Sequence, residues 1–409
     1  MNDERDLERD LERRITSVFD GTAPSRGPDD LLEDVFAVTG TMRPRPRFWA
    51  RLSEKPMRYD STLVSGSPTA RTAMLLVATM LLALALAGAA FAGAQLLDRG
   101  QTHVVAVDGS GDYVTISEAL AVAVDGDTVL VRPGRYEEDL VLRKAITMRG
   151  DGARDAIVIQ APGTGVRAIV DRGTPAEVGL PVGIDIQLSH ATIEGLTLRS
   201  EQPLVGVRVN GGAPTLRDIE ISIDDPSGAS VATLLAGGSN TSISDARLED
   251  RVVLTEASSM SLIDSDLHAP VEARGPGWAT VAANRFSQGS DLVATDGLRG
   301  DIEGNTFDGS AIRIESSSEL AVHENSLRGV PGSALTVSHG GTHADLRRNV
   351  IRDSGTGVAI GPQTVVTLAG NTICANGTNV FESSSATTEI RDNEVGETCP
   401  DQPQDGGDG

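Results

Sequence analysis

The chain has 409 residues and a formal net charge of −23, and residues 73–409 carry −22 of that charge. Nucleic-acid binding needs clustered cations against the phosphates, so this acidic balance argues against such a partner. Aromatic residues make up only 3% of the chain while 45 residues are glycine, which favours a thin core of stacked aliphatic side chains over the thick core of a globular α/β enzyme.

Residues 1–71 are predicted to form a cytoplasmic segment that is partly helical and partly disordered. The apolar residues of 3–19 recur at helical spacing, and a second short helix is expected over 28–38. The basic juxtamembrane run that ends at Arg58 has two interpretations. It either sets the membrane topology by its charge alone, or it lies with Trp49 on the anionic inner leaflet.

A single membrane span is predicted over residues 72–97, because these 26 residues contain no charge. At about 1.5 Å per residue, such a helix covers roughly 39 Å, enough to cross a hydrocarbon layer of about 30 Å with some tilt. Seven basic residues precede the span from Arg43 onward, so the positive-inside rule places the N-terminus in the cytoplasm and the rest outside the cell membrane. A cleaved signal peptide is the alternative, but this leader is far longer than a normal n-region.

The stretch 103–152 has the pattern of a first solenoid turn with a short helix over its open end. It begins at residue 103 with His-Val-Val-Ala-Val-Asp-Gly-Ser-Gly-Asp-Tyr-Val-Thr-Ile-Ser-Glu-Ala-Leu, and Asp-Gly-Asp-Thr-Val-Leu-Val-Arg-Pro-Gly-Arg-Tyr ends at Tyr136. Thr115 and Glu118 match a capping box for a helix that ends before Gly126. Such a helix would shield the unpaired strand edges and aliphatic groups of the first turn.

These residues resemble the opening turn of pectinesterases and of related proteins in the pectin lyase-like superfamily. The resemblance implies a right-handed parallel β-helix, often one that acts on acidic polysaccharides. The pectinesterase signatures Gln-Asp-Thr-Leu, Asp-Phe-x-Phe-Gly and Gly-Arg-Pro-Trp are absent, as is the Gly-His-Gly of polygalacturonase-like hydrolases. Neither Asp224-Asp225 nor His339-Gly340-Gly341 supplies a substitute.

A repeat of aliphatic-x-x-Asn-x-aliphatic follows, and earlier copies keep only its outer aliphatic pair. The asparagines lie 20 to 24 residues apart, which is the length of one β-helix turn with three short strands. Asparagine tolerates a left-handed bend and its amide can bond to the next turn, so a structural ladder within roughly ten stacked turns is predicted. Its members are Asn284, Asn305, Asn325, Asn349, Asn371 and Asn393.

The predicted fold is therefore all-β, with a right-handed parallel β-helix over 103–399 and a disordered tail over 400–409. Aligning the turns on the asparagines places two outward-facing columns of side chains on the strand before each repeat. Arg313 lies in one column and Arg274 and Glu315 lie in the next, with Asp296 and His339 at the adjoining bend.

This face would be a candidate catalytic groove if it bound a glycan. Arg313 could neutralise a uronate, Glu315 or His339 could serve as acid or base, and Asp296 and Arg274 could bind the substrate. An ordinary solvated strand face with an ion pair is the simpler interpretation of the same residues, and it is preferred.

No metal site and no cofactor are predicted. The spacing of His323, His339 and His343 imposes no coordination geometry, and a surface loop accounts for His343 and its neighbour Asp345. Calcium on surface carboxylates is compatible with the acidic composition, although no ligand loop is readable.

The two cysteines of the chain, Cys374 and Cys399, lie near the C-terminus. The repeat would let them face each other across adjacent turns, so a disulfide would form in an oxidising compartment.

Three functions are compatible with the sequence. A membrane-anchored, non-catalytic β-helix that contacts glycans or other envelope components agrees best with the missing signatures. A lyase or carbohydrate esterase for acidic glycans is the alternative, and it would need a cleft built from the long segments 163–181 or 224–238. A signal relay, in which residues 1–40 bind a cytoplasmic partner, is the third.

Overall fold

The computed structural model describes residues 100–170, 177–255 and 257–400. Within these ranges the chain is almost entirely β-structure. No helix there has both the length and the apolar character that a membrane crossing requires. The predicted cytoplasmic segment 1–71 and membrane span 72–97 lie outside the described residues, as does the predicted tail 400–409 beyond its first residue, and all three stay predictions.

Parallel strands stack into a solenoid with three faces, which we call faces A, B and C. Each strand pairs with the strand of the same face in the next turn, and face A contains about 13 turns over the described ranges, more than the ten predicted. Neighbouring strands are about 4.8 Å apart, so the stack is roughly 58 Å long. The prediction of a parallel β-helix is confirmed, and its right-handed sense stays a prediction.

Face A consists of β1 (Thr102–Val105), β2 (Thr128–Val131), β5 (Thr147–Gly150), β9 (Thr192–Ser200), β11 (Thr215–Ile223), β13 (Asn240–Ser244), β16 (Ser259–Ile263), β19 (Trp278–Ala282), β22 (Arg299–Glu303), β25 (Glu319–His323), β28 (His343–Arg347), β31 (Val365–Ala369) and β34 (Thr387–Arg391). Face B shares the long strands β9 and β11 and adds β3 (Gly134–Tyr136), β6 (Ile157–Gln160), β14 (Arg247–Leu248), β17 (Asp266–Leu267), β20 (Arg285–Phe286), β23 (Thr306–Asp308), β26 (Ser326–Arg328), β29 (Val350–Arg352), β32 (Thr372–Cys374) and β35 (Glu394–Gly396). Face C consists of β4 (Leu140–Leu142), β8 (Val178–Ser189), β10 (Val205–Gly212), β12 (Val231–Ala236), β15 (Arg251–Leu254), β18 (Val271–Arg274), β21 (Leu292–Thr295), β24 (Ile312–Ile314), β27 (Ser333–Val337), β30 (Thr356–Ile360) and β33 (Thr378–Glu382). One further strand, β7 (Arg167–Val170), pairs antiparallel with β8.

The N-terminal end of the stack is closed by the short helix α1 (Ile116–Val122), as the sequence predicted. Its buried residues Ile116 and Ala119 belong to the aliphatic core of the solenoid. The Thr115 hydroxyl accepts a hydrogen bond from the Glu118 backbone N–H at 3.2 Å, which caps the helix N-terminus. The Lys144 ammonium donates to main-chain carbonyls at the other end of the helix, those of Leu120, Ala121 and Ala123.

Alternation along each short strand creates one continuous aliphatic column inside the stack. In β24, for example, Ile312 and Ile314 are fully buried while Arg313 between them faces solvent. The only pair of stacked aromatic rings in the described core is Phe286 and Phe307, with ring centroids 4.2 Å apart. The low aromatic content therefore reflects a narrow interior that aliphatic side chains already fill.

The six asparagines line the corner between faces A and B and form a ladder. The Asn305 backbone N–H donates to Asn325 Oδ1 at 2.9 Å, and its side-chain amide donates to the same oxygen and to the Val281 carbonyl. The same pattern joins Asn284 to Asn305 and continues to Asn393. Each side chain therefore satisfies main-chain groups of the preceding turn and bonds to the asparagine side chain of the following one.

The left-handed residue of this corner is not the asparagine, so that part of the sequence interpretation is wrong. Positive φ angles occur at the residue just before it, for example 55° at Ala283, 60° at Glu324 and 51° at Arg348. Glycine holds the equivalent position at Gly304 and Gly370. The chain turns at the preceding residue so that the asparagine side chain can point inward and bond along the stack.

The two long segments proposed as cleft walls have other roles. Residues 231–236 of the presumed loop 224–238 form β12, an ordinary strand of face C. The segment 163–181 contributes β7, whose residues Ala168 and Val170 pack in a second, small apolar cluster with Val205 of face C. The strand β7 therefore covers part of face C rather than opening a groove.

The last turn is joined to the one before it by a disulfide between Cys374 and Cys399, with Cα atoms 5.0 Å apart. Cys374 ends β32 and is buried, and Cys399 follows β35.

Candidate functional site

Face C carries the predicted outward column in the register that the asparagine alignment gave. Arg313 on β24 pairs with Val293 on β21 and with Thr336 on β27. Its guanidinium donates to Asp291 Oδ2 at 2.7 Å, and the arginine side chain is half exposed. Arg313 is thus neutralised by a neighbour on its own face, an arrangement that leaves it less able to neutralise a uronate.

Glu315, His339 and Asp296 all lie at the bend between faces C and A, in successive turns. His339 and Asp296 both have positive φ, at 67° and 60°. Glu315 Oε2 lies 3.9 Å from His339 Nδ1, and the Ser338 hydroxyl lies 3.0 Å from the same nitrogen. Asp296 accepts a hydrogen bond from the Thr295 hydroxyl at 2.7 Å. Glu315 and His339 therefore lie within ion-pair distance at the surface, but they share no hydrogen bond.

Arg274 does not join this pair. It lies two strands away on β18, which is about 10 Å along the stack, and it contacts Glu272. Glu272 also lies 3.3 Å from Arg251 Nη1. Of the five candidate residues, the structure therefore brings together Glu315 and His339, with Asp296 at the same bend, and leaves Arg274 and Arg313 in separate ion pairs.

The earlier turns of face C are closed to a large ligand. Asp185 is fully buried, and Arg208 Nε and Nη2 each donate to its carboxylate at 2.7 Å. Arg208 also donates to the Arg167 carbonyl of β7 at 3.3 Å. The strand that covers face C therefore helps to hold Arg208 against Asp185. A buried charge must be paired in this way, which makes the interaction structural.

Two carboxylates at the base of the segment 224–230 have opposite pKa shifts. Burial opposes ionisation of Asp225, but hydrogen bonds from Ser227 and Ser230 outweigh it and lower its pKa to about 2. Burial raises the pKa of Asp250 to about 6, although the Ile223 N–H donates to it at 2.9 Å.

A groove lies on the outer surface of face A, and we call it the Trp278 groove. Its volume is about 570 Å³, and it runs across strands β19, β22, β25, β28 and β31. The chemically relevant residues that line it are Trp278, Arg299, Asp301, Glu319, His343 and Asp345.

Trp278 begins β19, and its residue surface is 48% exposed. The indole N–H donates to the Thr280 hydroxyl at 3.3 Å, which holds the ring along the strand. Arg299 is the register partner of Trp278 in the next turn, and its Nε lies 3.4 Å from Glu319 Oε2. The groove thus places an exposed aromatic ring beside a pair of charged side chains.

Two aspartates extend the groove along the middle of face A. Asp345 is held by Arg347 at 2.7 Å, which orients its carboxylate. The side chain of Asp301, two turns earlier in the same column, makes no hydrogen bond or ion pair with any part of the chain that the structure describes. Its carboxylate is therefore available to accept hydrogen bonds from a ligand.

The sequence contains a signal for this groove in the spacing of its residues from the ladder asparagines. Trp278, Arg299, Glu319 and His343 each lie six positions before a ladder asparagine, so they form one outward row. His343 and Asp345 lie on β28 and not in a surface loop, which corrects that expectation.

Comparison with known proteins gives one family match and several fold matches. The profile of the family described as "Periplasmic copper-binding protein (NosD)" matches residues 240–399. "Pectinesterase 3" of Solanum lycopersicum is 32% identical over 115 residues, which is 26% of this chain and 20% of that protein. The chain thus matches only about a fifth of the length of this curated relative.

Two solved structures are similar to this chain to different degrees. The lacto-N-biosidase of Eubacterium ramulus has a TM-score of 0.50 at 11% identity, and the alignment covers 72% of this chain and 68% of that one. The A-module of the mannuronan C-5 epimerase AlgE4 of Azotobacter vinelandii has a TM-score of 0.45 at 13% identity, and the alignment covers 69% of this chain and 90% of that one. At these identities the likeness concerns the fold alone.

The residues of the matched region do not fit a copper site. Copper is bound by histidine, cysteine or methionine side chains that converge. Both cysteines form the disulfide, and Met260 is buried in the core. His323 and His343 lie at opposite ends of adjacent strands, and no group of three metal-binding side chains occurs in the described ranges.

The parallel solenoid, the asparagine ladder and the capped first turn agree with the partial matches to pectinesterases and to the copper-binding family. The chain thus has the parallel β-helix fold, and over the matched stretches its sequence is similar to pectinesterases and to the copper-binding family.

Proposed function

We propose that the β-helix is a non-catalytic module that contacts glycans outside the cytoplasm, held at a membrane by residues 72–97. The Trp278 groove is the observation that supports glycan contact. The membrane anchor is supported by the uncharged run in the sequence. The disulfide near the C-terminus supports an oxidising, extracytoplasmic compartment.

Stacking on Trp278 would provide most of the binding energy. An indole face can cover the apolar face of a sugar ring, and an exposed ring that is already fixed by a hydrogen bond loses little conformational freedom on binding. Asp301 and Asp345 would accept hydrogen bonds from sugar hydroxyl groups.

The charge of the groove favours neutral or amino sugars over uronates. Arg299 is the one arginine among its lining residues, against the carboxylates of Asp301, Glu319 and Asp345. A polyuronate would be repelled by this surface, whereas an amino sugar would be attracted.

Binding of full-length protein in detergent to an array of neutral, amino-sugar and uronate oligosaccharides tests this proposal. Trp278→Ala should weaken binding by about 2 kcal/mol, roughly 30-fold, from the lost apolar contact. Leu188→Ala removes another exposed apolar side chain, on face C, and should leave binding unchanged. If no array member binds, or if Trp278→Ala binds as well as the unmodified chain, glycan contact at this groove is wrong.

A second function, a polysaccharide lyase or esterase for acidic glycans, is favoured only by the Glu315–His339 pair on face C. In that case the full-length chain would release product from an acidic polysaccharide, and Glu315→Gln would abolish release while Glu303→Gln would not. Turnover that survives both Arg313→Ala and Glu315→Ala would exclude this site.

A further inference from the structure

The two ends of the solenoid differ in how they are covered. Helix α1 closes the N-terminal end, but no described residue packs below the last turn. In that turn the inward-facing Ile390 and Val395 are 57% and 52% exposed, whereas their register partners one turn earlier, Leu368 and Ile373, are buried. Side chains in core positions are therefore left facing solvent.

The outer edge of β34 also has unpaired main-chain groups. Thr387 N–H donates to the Thr364 carbonyl, and the Arg391 carbonyl accepts from Gly370 N–H, so Thr387 and Arg391 point into the stack. Alternate residues of a strand present their main-chain groups to opposite sides, which leaves those of Ile390 pointing outward. A free strand edge beside exposed apolar side chains is a template for another strand.

We propose that a second copy of this chain covers this end. In a two-fold symmetric dimer, β34 would pair antiparallel with β34 of the other copy, centred on Ile390. Each Ile390 would then exchange two main-chain hydrogen bonds with Ile390 of the second copy.

Charge selects this register. With Ile390 at the centre, Glu389 lies opposite Arg391 of the second copy, and the symmetry repeats the attraction. Centring the pair on Glu389 would also match the free main-chain groups, but it would set two carboxylates directly opposite each other, which is destabilising. The alternating charges around Ile390 are therefore self-complementary in one register and not in its neighbour.

The same symmetry limits the assembly to two copies. The axis brings the exposed Ile390 of both copies together, and each remaining end is closed by α1. A closed dimer results instead of an open fibre.

Disulfide cross-linking in the full-length chain tests the axis. Residues that exchange both hydrogen bonds in an antiparallel pair have Cα atoms about 5.5 Å apart, within disulfide range. Under mild oxidation, Ile390→Cys should therefore give a covalent dimer on a non-reducing gel, while Val365→Cys, exposed on face A one turn earlier, should not. A monomeric Ile390→Cys band, or equal cross-linking of both variants, would overturn the proposal.

Charge reversal tests the register. In sedimentation of the full-length chain in detergent, Arg391→Glu and Glu389→Arg should each weaken dimerisation at least tenfold, and the double exchange should restore it. Arg347→Glu, the equivalent residue two turns earlier, is the matched control and should have no effect. Unchanged circular dichroism would show that each variant is folded. A chain that is monomeric throughout, or a double exchange that does not restore the dimer, would refute the proposed pairing.

Discussion

Replacing Asn349 by alanine tests whether the asparagine ladder holds the turns together. Asn349 is fully buried, and its Oδ1 accepts from the Asn325 backbone N–H and side-chain amide, both at 3.0 Å. Its own amide donates to the Val322 carbonyl at 2.8 Å and to Asn371 Oδ1 at 3.0 Å. One substitution therefore removes bonds to three neighbouring residues inside a dry corner.

The expected loss follows from the groups that remain. Alanine leaves the Asn325 N–H buried without its acceptor and the Val322 carbonyl without this donor. A buried polar group that loses its partner costs about 1–3 kcal/mol, so two such groups predict a loss of about 4 kcal/mol in the free energy of unfolding. Asn393→Ala at the end of the ladder should cost only about 1–2 kcal/mol, because water can reach the partly exposed groups of the last turn.

Denaturant unfolding of both variants, combined with amide hydrogen exchange, measures these losses. Solenoid turns interact only with their neighbours, so exchange should rise most at the corner around Asn349 and decline with distance along the stack. The ladder has no such role if Asn349→Ala costs less than 1 kcal/mol, or if it costs no more than Asn393→Ala.

Three further substitutions have defined outcomes. Because burial raises the pKa of Asp250 from 3.8 to about 6, ionisation destabilises the fold as the pH rises through that range. The shift corresponds to about 3 kcal/mol, and partial solvent screening reduces it to about 1–2 kcal/mol, so Asp250→Asn should raise the melting temperature at pH 8 and not at pH 4. Arg208→Ala leaves Asp185 as a buried unpaired charge and should cost about 3–5 kcal/mol in urea unfolding, while a loss below 1 kcal/mol would contradict the assigned role. Cys374→Ser opens a link between residues 25 apart and should cost about 3 kcal/mol, seen as faster exchange confined to the last two turns; unchanged exchange there would contradict it.

The two candidate sites differ in whether their side chains are already paired within the chain. On face C, Arg313 and Arg274 are held by Asp291 and Glu272, which is the solvated ion-pair surface that the sequence also allowed. On face A, Trp278 and Asp301 remain available for a ligand. Face A is therefore the stronger candidate for glycan contact.

The sequence by itself determined the stack, the register of its columns and the asparagine ladder, because a strict repeat forces equivalent residues of successive turns into contact. It also indicated the capping helix and the pairing of the cysteines, both of which depend on local spacing. Only the tertiary structure showed that the bend residue is the one before each asparagine, that residues 163–170 cover face C, and that Arg313 binds Asp291. A repeat pattern fixes where the main chain of each turn lies. It does not fix which of several neighbouring residues a side chain contacts, or which face an inserted segment covers.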